Sequence, residues 1–287
     1  MAYLALGAGV LCISFTAIFT KWAGVPGPVA STLRMSVATV VLMIPFVLHI
    51  RRTGLPRAAV PWGVMGGLWF AINLGMLSTA LLMTSAANAT LMDNTAPIWV
   101  GLGALVIFRE KLGKRYWTGL VLALVGAAVV SGVRMAAGLS LNAGDVLAFV
   151  GATFYAGYLL NTQHARQELS SLAYLWLVAA TASIALLAFS LVRHLPILGY
   201  SSRTYLSLIA MGVISQSGGW LVINYALGHL PASSAVVVLL AQPVLTGLLS
   251  IPLLGEPLAI RQVFGGVLLL TGIALCLRRG SSDQIAK

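Results

Sequence analysis

About ten apolar runs, each long enough to cross roughly 30 Å of hydrocarbon, divide this chain, and nearly all of its charges are confined to the gaps between them. The runs fall near Tyr3–Thr20, Pro28–Leu48, Trp62–Leu82, Ser85–Phe108 and Trp117–Ser131, then Asp145–Gln163, Leu172–Val192, Tyr205–Ala226, Ala232–Leu254 and Gln262–Leu277. Lipid offers no partner to an exposed amide, so each run must close its own backbone hydrogen bonds as a helix. With 59% hydrophobic and 8% charged residues, the chain cannot cover a water-facing surface. The expected fold class is therefore all-α integral membrane, with ten transmembrane helices and the bilayer as a partner. The net charge of +11 does not describe a nucleic-acid groove, because the basic residues are dispersed through short connections. The N-terminus has no basic region or small-residue cleavage site, so its first run is expected to stay as a span. Cys12 and Cys276 lie inside apolar runs, and the four histidines lie at span ends or in loops, so no disulfide framework, metal or cofactor is expected.

Two stretches of the chain repeat without a gap. Ser85–Val130 overlays Pro231–Cys276, matching Pro97 to Pro243, Gly101 to Gly247, Glu110 to Glu256, Arg115 to Arg261, Gly119 to Gly265 and Gly126 to Gly272. Shared Leu and Ala follow from composition, but a Pro, a Glu, an Arg and three Gly in one register do not. The loop charges set the orientation. With both termini cytoplasmic, the inside loops hold Arg51, Arg52, Arg57, Arg109, Lys111, Lys114, Arg115, Arg166, Arg278, Arg279 and Lys287. Only Lys21, Arg134, Arg193, Arg203 and Arg261 fall outside, which satisfies the positive-inside rule. Five spans per half is an odd number, so the second half enters the membrane upside down. The expected organisation is two inverted-topology five-helix repeats around a central cavity, residues 1–137 and 138–280, with a cytoplasmic tail at 281–287. Inverted repeats with a site between them are a mark of transporters.

These features resemble the drug/metabolite transporter superfamily, specifically its ten-span EamA-type branch. The residues that carry the resemblance are Pro97 and Pro243 in mid-span, the turns Arg109-Glu110-Lys111-Leu112 and Gly255-Glu256-Pro257-Leu258, and the glycines of each half's last helix. Arg34, within Leu33-Arg34-Met35, fits the pattern too. The chain departs from it in the first span, where Cys12-Ile13-Ser14-Phe15 stands near the family's usual Trp-Gly pair. Within the branch the chain looks most similar to bacterial aromatic amino acid exporters. The resemblance implies a multi-pass protein of the bacterial inner membrane that moves small metabolites.

Arg34 and Asp93 are the two formal charges deep in the spans, each roughly 10–12 Å below the outer boundary by helix rise. Each costs on the order of 3 kcal/mol to place alone in lipid, so each needs a partner or a wet cavity. Two readings stand: a structural ion pair joining the second and fourth spans, or contacts to the carboxylate and ammonium groups of a substrate. Pro97 and Pro243 free the carbonyls of Asp93 and Leu239, which makes them candidate hinges as well as packing kinks. Candidate substrate-binding residues are Asn73, Ser78, Asn88, Asp93, Trp99, Tyr155, Tyr158, Gln216, Trp220 and Gln242, with Asn94, Ser217 and Asn224 in the same mid-membrane group. Amides and hydroxyls would hold a zwitterion and the aromatic faces an apolar side chain; the alternative for any one is ordinary interhelical bonding.

The expected function is a secondary transporter that exports broad amino acids or similar small metabolites by alternating access. Without a GxxxxGK[ST] loop the chain carries no nucleotide hydrolysis of its own. If Arg34 pairs with Asp93, the one buried acid is disabled as a proton carrier, which favours facilitated transport over proton antiport. Export of cationic drugs is the alternative, although the first span has no acidic residue. An intramembrane enzyme is the out-of-class rival, and the lack of an acid–histidine cluster within the spans argues for a non-enzyme. The first four spans of each half should line the cavity. The fifth should sit at the periphery or in a dimer interface, so the chain is expected as a monomer or homodimer.

Overall fold

The computed structural model describes residues 1–132 and 142–278, and they contain helices and no strand. The expectations for Arg134, Arg279, Lys287 and the tail at 281–287 lie outside the described residues. The first half comprises α1 (Ala2–Ala23), α2 (Gly27–Thr53), a 3₁₀ turn (Arg57–Ala59), α3 (Val60–Ala80), α4 (Ala86–Asp93), α5 (Ala96–Ile107) and α6 (Lys114–Ser131). The second comprises α7 (Ala143–Ala165), α8 (Ser171–Val192), α9 (Ser202–Ala210), a π-helical segment (Met211–Gly219), α10 (Trp220–Leu227), α11 (Ala232–Leu239), α12 (Gln242–Leu254) and α13 (Ile260–Leu277). Nine straight or broken helices among the described residues are long and apolar enough to cross a membrane. α6, expected as a tenth span, is not among the nine, because it begins with Lys114 and Arg115.

Local sequence explains where these helices begin and end. Ser85, Ser170 and Ser201 cap α4, α8 and α9 by accepting a backbone N–H three residues on. Asn142 and Asp145 form a reciprocal capping box at the start of α7. At the other ends, Gly24 and Gly255 take left-handed φ values of 62° and 68° that a side chain would resist.

Pro97 and Pro243 do more than kink a span. Each occupies the first turn of a new helix, so the fourth span is broken into α4 and α5 and the ninth into α11 and α12. The two breaks use the same bonds: Thr95 N donates to Met92 O at 3.1 Å and Ile98 N to Thr95 O at 2.9 Å. At the second break Ala241 N donates to Val238 O at 3.0 Å and Val244 N to Ala241 O at 3.1 Å.

The bundle core joins the two halves. α3 packs between α7 and α8, α2 lies against α8, and α1 lies against the π-helical segment, α10 and α12. Across α2 and α8, Thr32 and Ser190 hydroxyls meet at 2.9 Å and Ser36 and Ser183 at 2.8 Å. The fifth spans, α6 and α13, pack against each other at the edge of the bundle. A Cβ built on Gly126 would lie 2.7 Å from Gly265 O, and one on Gly272 would lie 2.6 Å from Gly119 O. Glycine thus lets these antiparallel backbones touch.

Candidate functional site

A cavity of about 260 Å³ opens inside the bundle. Its lining runs from Thr20, Gly27 and Leu81, at the ends of α1 and α3 and the start of α2, down to Arg34, Phe70, Asp93 and Gln242 at mid-bundle. The mouth therefore lies at the end of the bundle that carries the α1–α2 connection. Among the described residues, no lining residue comes from the opposite end.

The helix break builds one wall. Asp93 is the last residue of α4, and Asn94, Ala96 and Pro97 continue the lining into α5. Asn73 on α3 holds the carboxylate: its Nδ2 donates to Asp93 Oδ1 at 3.0 Å and to Gly151 O at 3.2 Å. Arg34 reaches the same cavity from α2, and its buried Nε has no hydrogen-bond partner. The ion pair open in the sequence is not made. Among the described residues the salt bridge is Lys21–Glu256 at 2.5 Å, and Asp93 takes its hydrogen bond from the Asn73 amide. That removes the premise on which facilitated transport was favoured over proton antiport.

Aromatic rings form the floor. Phe70 and Trp220 meet edge to face at 5.1 Å, and Tyr155 packs on Trp220 at 6.2 Å. Gln242, the first residue of α12, donates from Nε2 to Ile13 O at 3.3 Å, and Ser78 donates to Leu74 O at 2.5 Å. One cation, one anion, amides and an aromatic floor share a small, mostly apolar space, as in small-molecule sites.

Eight of the expected residues thus line one cavity: Asn73, Ser78, Asp93, Asn94, Tyr155, Trp220 and Gln242, with Arg34 of the charge pair. Pro97 joins them, whereas Pro243 borders a separate apolar groove with Val244, Val263 and Val267. Four other expected binding residues lie elsewhere. Asn88 sits in the first turn of α4, its N–H held by Ser85. Trp99 packs edge to face on Phe149 at 5.5 Å. Tyr158 is fully buried behind the floor, its hydroxyl donating to Asn224 Oδ1 at 3.3 Å and its ring on Phe70 at 4.6 Å. Gln216 is buried in the π-helical segment, where neither amide atom has a partner. Asn88 is thus at the end of its span, and the helices of the other three turn them away from the cavity.

All four of the first half's first spans, α1, α2, α3 and the α4–α5 pair, contribute lining, but in the second half α8 contributes none, contrary to the expectation. Conversely Thr16, Thr20, Ser31 and Met211 line the cavity without having been expected. Thr20 donates to Thr16 O at 2.7 Å, a local bond that lets a hydroxyl sit on any helix face and so gives no positional signal.

An all-helical, multi-pass bundle enclosing a polar and aromatic cavity is the architecture of a membrane transporter. The EamA-like transporter family matches residues 1–132 and 142–278, and the chain belongs to it. An uncharacterized transporter of Archaeoglobus fulgidus is 28% identical over 281 residues, covering 96% of this chain and 98% of the relative. The uncharacterized transporter YyaM of Bacillus subtilis is 23% identical over 246 residues, covering 83% of this chain and 80% of its own. One solved crystal structure shares the fold with a TM-score of 0.80 and 96% coverage of both chains, at 19% identity.

Proposed function

We propose that this transporter exports amino acids, aromatic and neutral ones included, or similar small zwitterions across a bacterial inner membrane, with both termini cytoplasmic. The observation that carries the reading is the presence of Arg34 and Asp93 in one cavity without a bond to each other. A substrate carrying a carboxylate and an ammonium group supplies the missing partner of each. The apolar and aromatic floor then takes its side chain. The cavity volume of about 260 Å³ lies just below the usual range of ligand cavities, roughly 300–1,000 Å³, which favours a small metabolite over a large drug.

Alternating access between two inverted halves, residues 1–137 and 138–280, is supported by paired features. The repeated glycines contact crosswise, Gly119 with Gly272 and Gly126 with Gly265, as two antiparallel copies must around a twofold axis in the membrane plane. The matching bonds at the α4–α5 and α11–α12 breaks follow the same register. The paired breaks at Pro97 and Pro243 are the hinges of this scheme.

The test is uptake of single radiolabelled amino acids into liposomes that contain the purified protein. Saturable flux, reduced in Asp93→Asn and in Arg34→Gln, supports the reading. Flux of cationic dyes without any amino acid flux overturns it in favour of drug export. An imposed pH gradient that alone drives uphill flux identifies proton antiport, and flux only down the substrate's own gradient identifies facilitated export.

A further inference from the structure

The repeated Glu turns are left over from the cavity, and the structure holds them in two different states. Glu110 follows α5 at the end of the bundle opposite the mouth. Its carboxylate accepts a hydrogen bond from the Ser233 hydroxyl in the first turn of α11, and its other oxygen is buried. Ser233 is 2% exposed, and its carbonyl accepts from Tyr116 OH of α6 at 3.3 Å. These contacts tie the first half to the second where the cavity is closed. α11 has no side-chain cap of its own, so an acid from another element meets its N-terminal turn.

Glu256 is the repeat mate of Glu110, and Ala87 in the first turn of α4 is the mate of Ser233. At the mouth this second set stands apart. Glu256 is about half exposed and bound to Lys21 of α1, while Ser85 at the start of α4 is exposed and caps its own helix. The glutamate is therefore engaged across the two halves at the closed end and bound to Lys21 at the open end, where Ala87 offers no hydroxyl and the first turn of α4 can meet Glu256 only through its backbone N–H groups.

We infer that Glu110 and Glu256 are a reciprocal pair of latches. Glu110 closes on the first turn of α11 when the cavity faces the mouth seen here. Glu256 closes on the first turn of α4 when the cavity faces the other way. The inference rests on the alternating-access reading above, and it assigns each glutamate a role in the balance between the two states rather than in substrate contact.

The test uses Ser31→Cys, which places a thiol in the cavity near the mouth, in protein whose Cys12 and Cys276 are replaced by Ala, held in lipid nanodiscs. The rate of reaction with a bulky, charged maleimide reports the population open at the mouth. Loss of a charge-assisted hydrogen bond shifts such a balance on the order of tenfold, so Glu110→Ala should slow labelling by between about twofold, where the mouth-open state dominates, and about tenfold, where it is the minor state. Ser233→Ala should slow it in the same direction and by less. Adding Glu256→Ala to Glu110→Ala should restore the rate, an outcome that damage to the fold would not give. Unchanged labelling in Glu110→Ala, or no recovery in the double variant, overturns the latch. The flux assay separates the two readings: opposite labelling shifts in a protein that moves no amino acid would sustain the latch and sink the proposed substrate.

Discussion

Replacing Asp93 by Asn should weaken transport and leave the protein at least as stable, and the two effects have separable physical origins. The carboxylate has one hydrogen bond, from Asn73, and no cation beside it. A lone acid at this depth costs roughly 2.5–3.5 kcal/mol in a membrane helix before any relief from water in the cavity. Asn at the same position still accepts from Asn73 through its amide oxygen, so the local bond survives while the charge is removed. Stability should therefore rise by between zero and about 3 kcal/mol, read as an unchanged or higher melting temperature in detergent. Binding should move the other way. A charge-assisted hydrogen bond to a substrate ammonium is worth about 1.5–3 kcal/mol net, which is roughly a 10- to 150-fold rise in the half-saturating concentration. The assay is the concentration dependence of amino acid uptake, run beside a melting curve on the same preparation. A lower melting temperature with unchanged half-saturation would refute the argument, because it would mean that Asp93 secures the fold and does not meet the substrate.

Three further outcomes follow from single contacts. Asn73→Ala removes the donor to both Asp93 and Gly151 O, so it should cost about 1–3 kcal/mol, chiefly through the Asp93 carboxylate left without its donor, since Gly151 O keeps its bond within α7, and also raise the half-saturating concentration; melting and uptake read the two parts. Gly272→Val puts a Cβ 2.4 Å from Ala123 N in the α6–α13 contact, and such overpacking should lower stability by about 1–3 kcal/mol or more, measured by the same melting curve. A double-mutant cycle of Thr32→Val and Ser190→Ala should give a coupling of only about 0.6 kcal/mol across α2 and α8, since interhelical hydroxyl bonds in lipid are weak.

The fold was legible in the sequence because bilayer thickness and backbone satisfaction leave few options for a chain so poor in charge. The placement of Pro97, Pro243, Gly119, Gly126, Gly265 and Gly272 was legible too, although two prolines read as kinks proved to be complete breaks with a new helix after each. Charge marked the site well: Arg34 and Asp93 are too costly to sit in lipid, so both had to face the cavity or each other, and the structure chose the cavity. Uncharged polar groups carried no such signal. Trp99 packs its ring on Phe149 and leaves its indole N–H unpaired, Tyr158 bonds Asn224 behind the floor and Asn88 is held by Ser85, while Thr20 lines the cavity and bonds the Thr16 carbonyl of its own helix.

The eighth span shows why the facing of such residues could not be worked out by counting. Met211 and Trp220 both line the cavity. In an α-helix, at about 100° per residue, positions nine apart point to opposite sides, so a helical wheel would assign one to the cavity and the other to a neighbour. The segment between them is wound as a π-helix of nine residues, and the Ser217 hydroxyl adds a side-chain bond to Gly212 O at 2.8 Å. At roughly 4.4 residues per turn, two turns bring position 220 back beneath position 211. The cost is a poorer helix, offset by close approach to α1: a Cβ built on Gly219 would lie 3.0 Å from Cys12 Cβ, and Ser215 donates to Cys12 O at 2.9 Å. The same winding leaves Gln216 buried without a partner. Of the two candidate ligands on this span, Gln216 is thus set aside by the same local change in pitch that brings Trp220 onto one cavity wall with Met211.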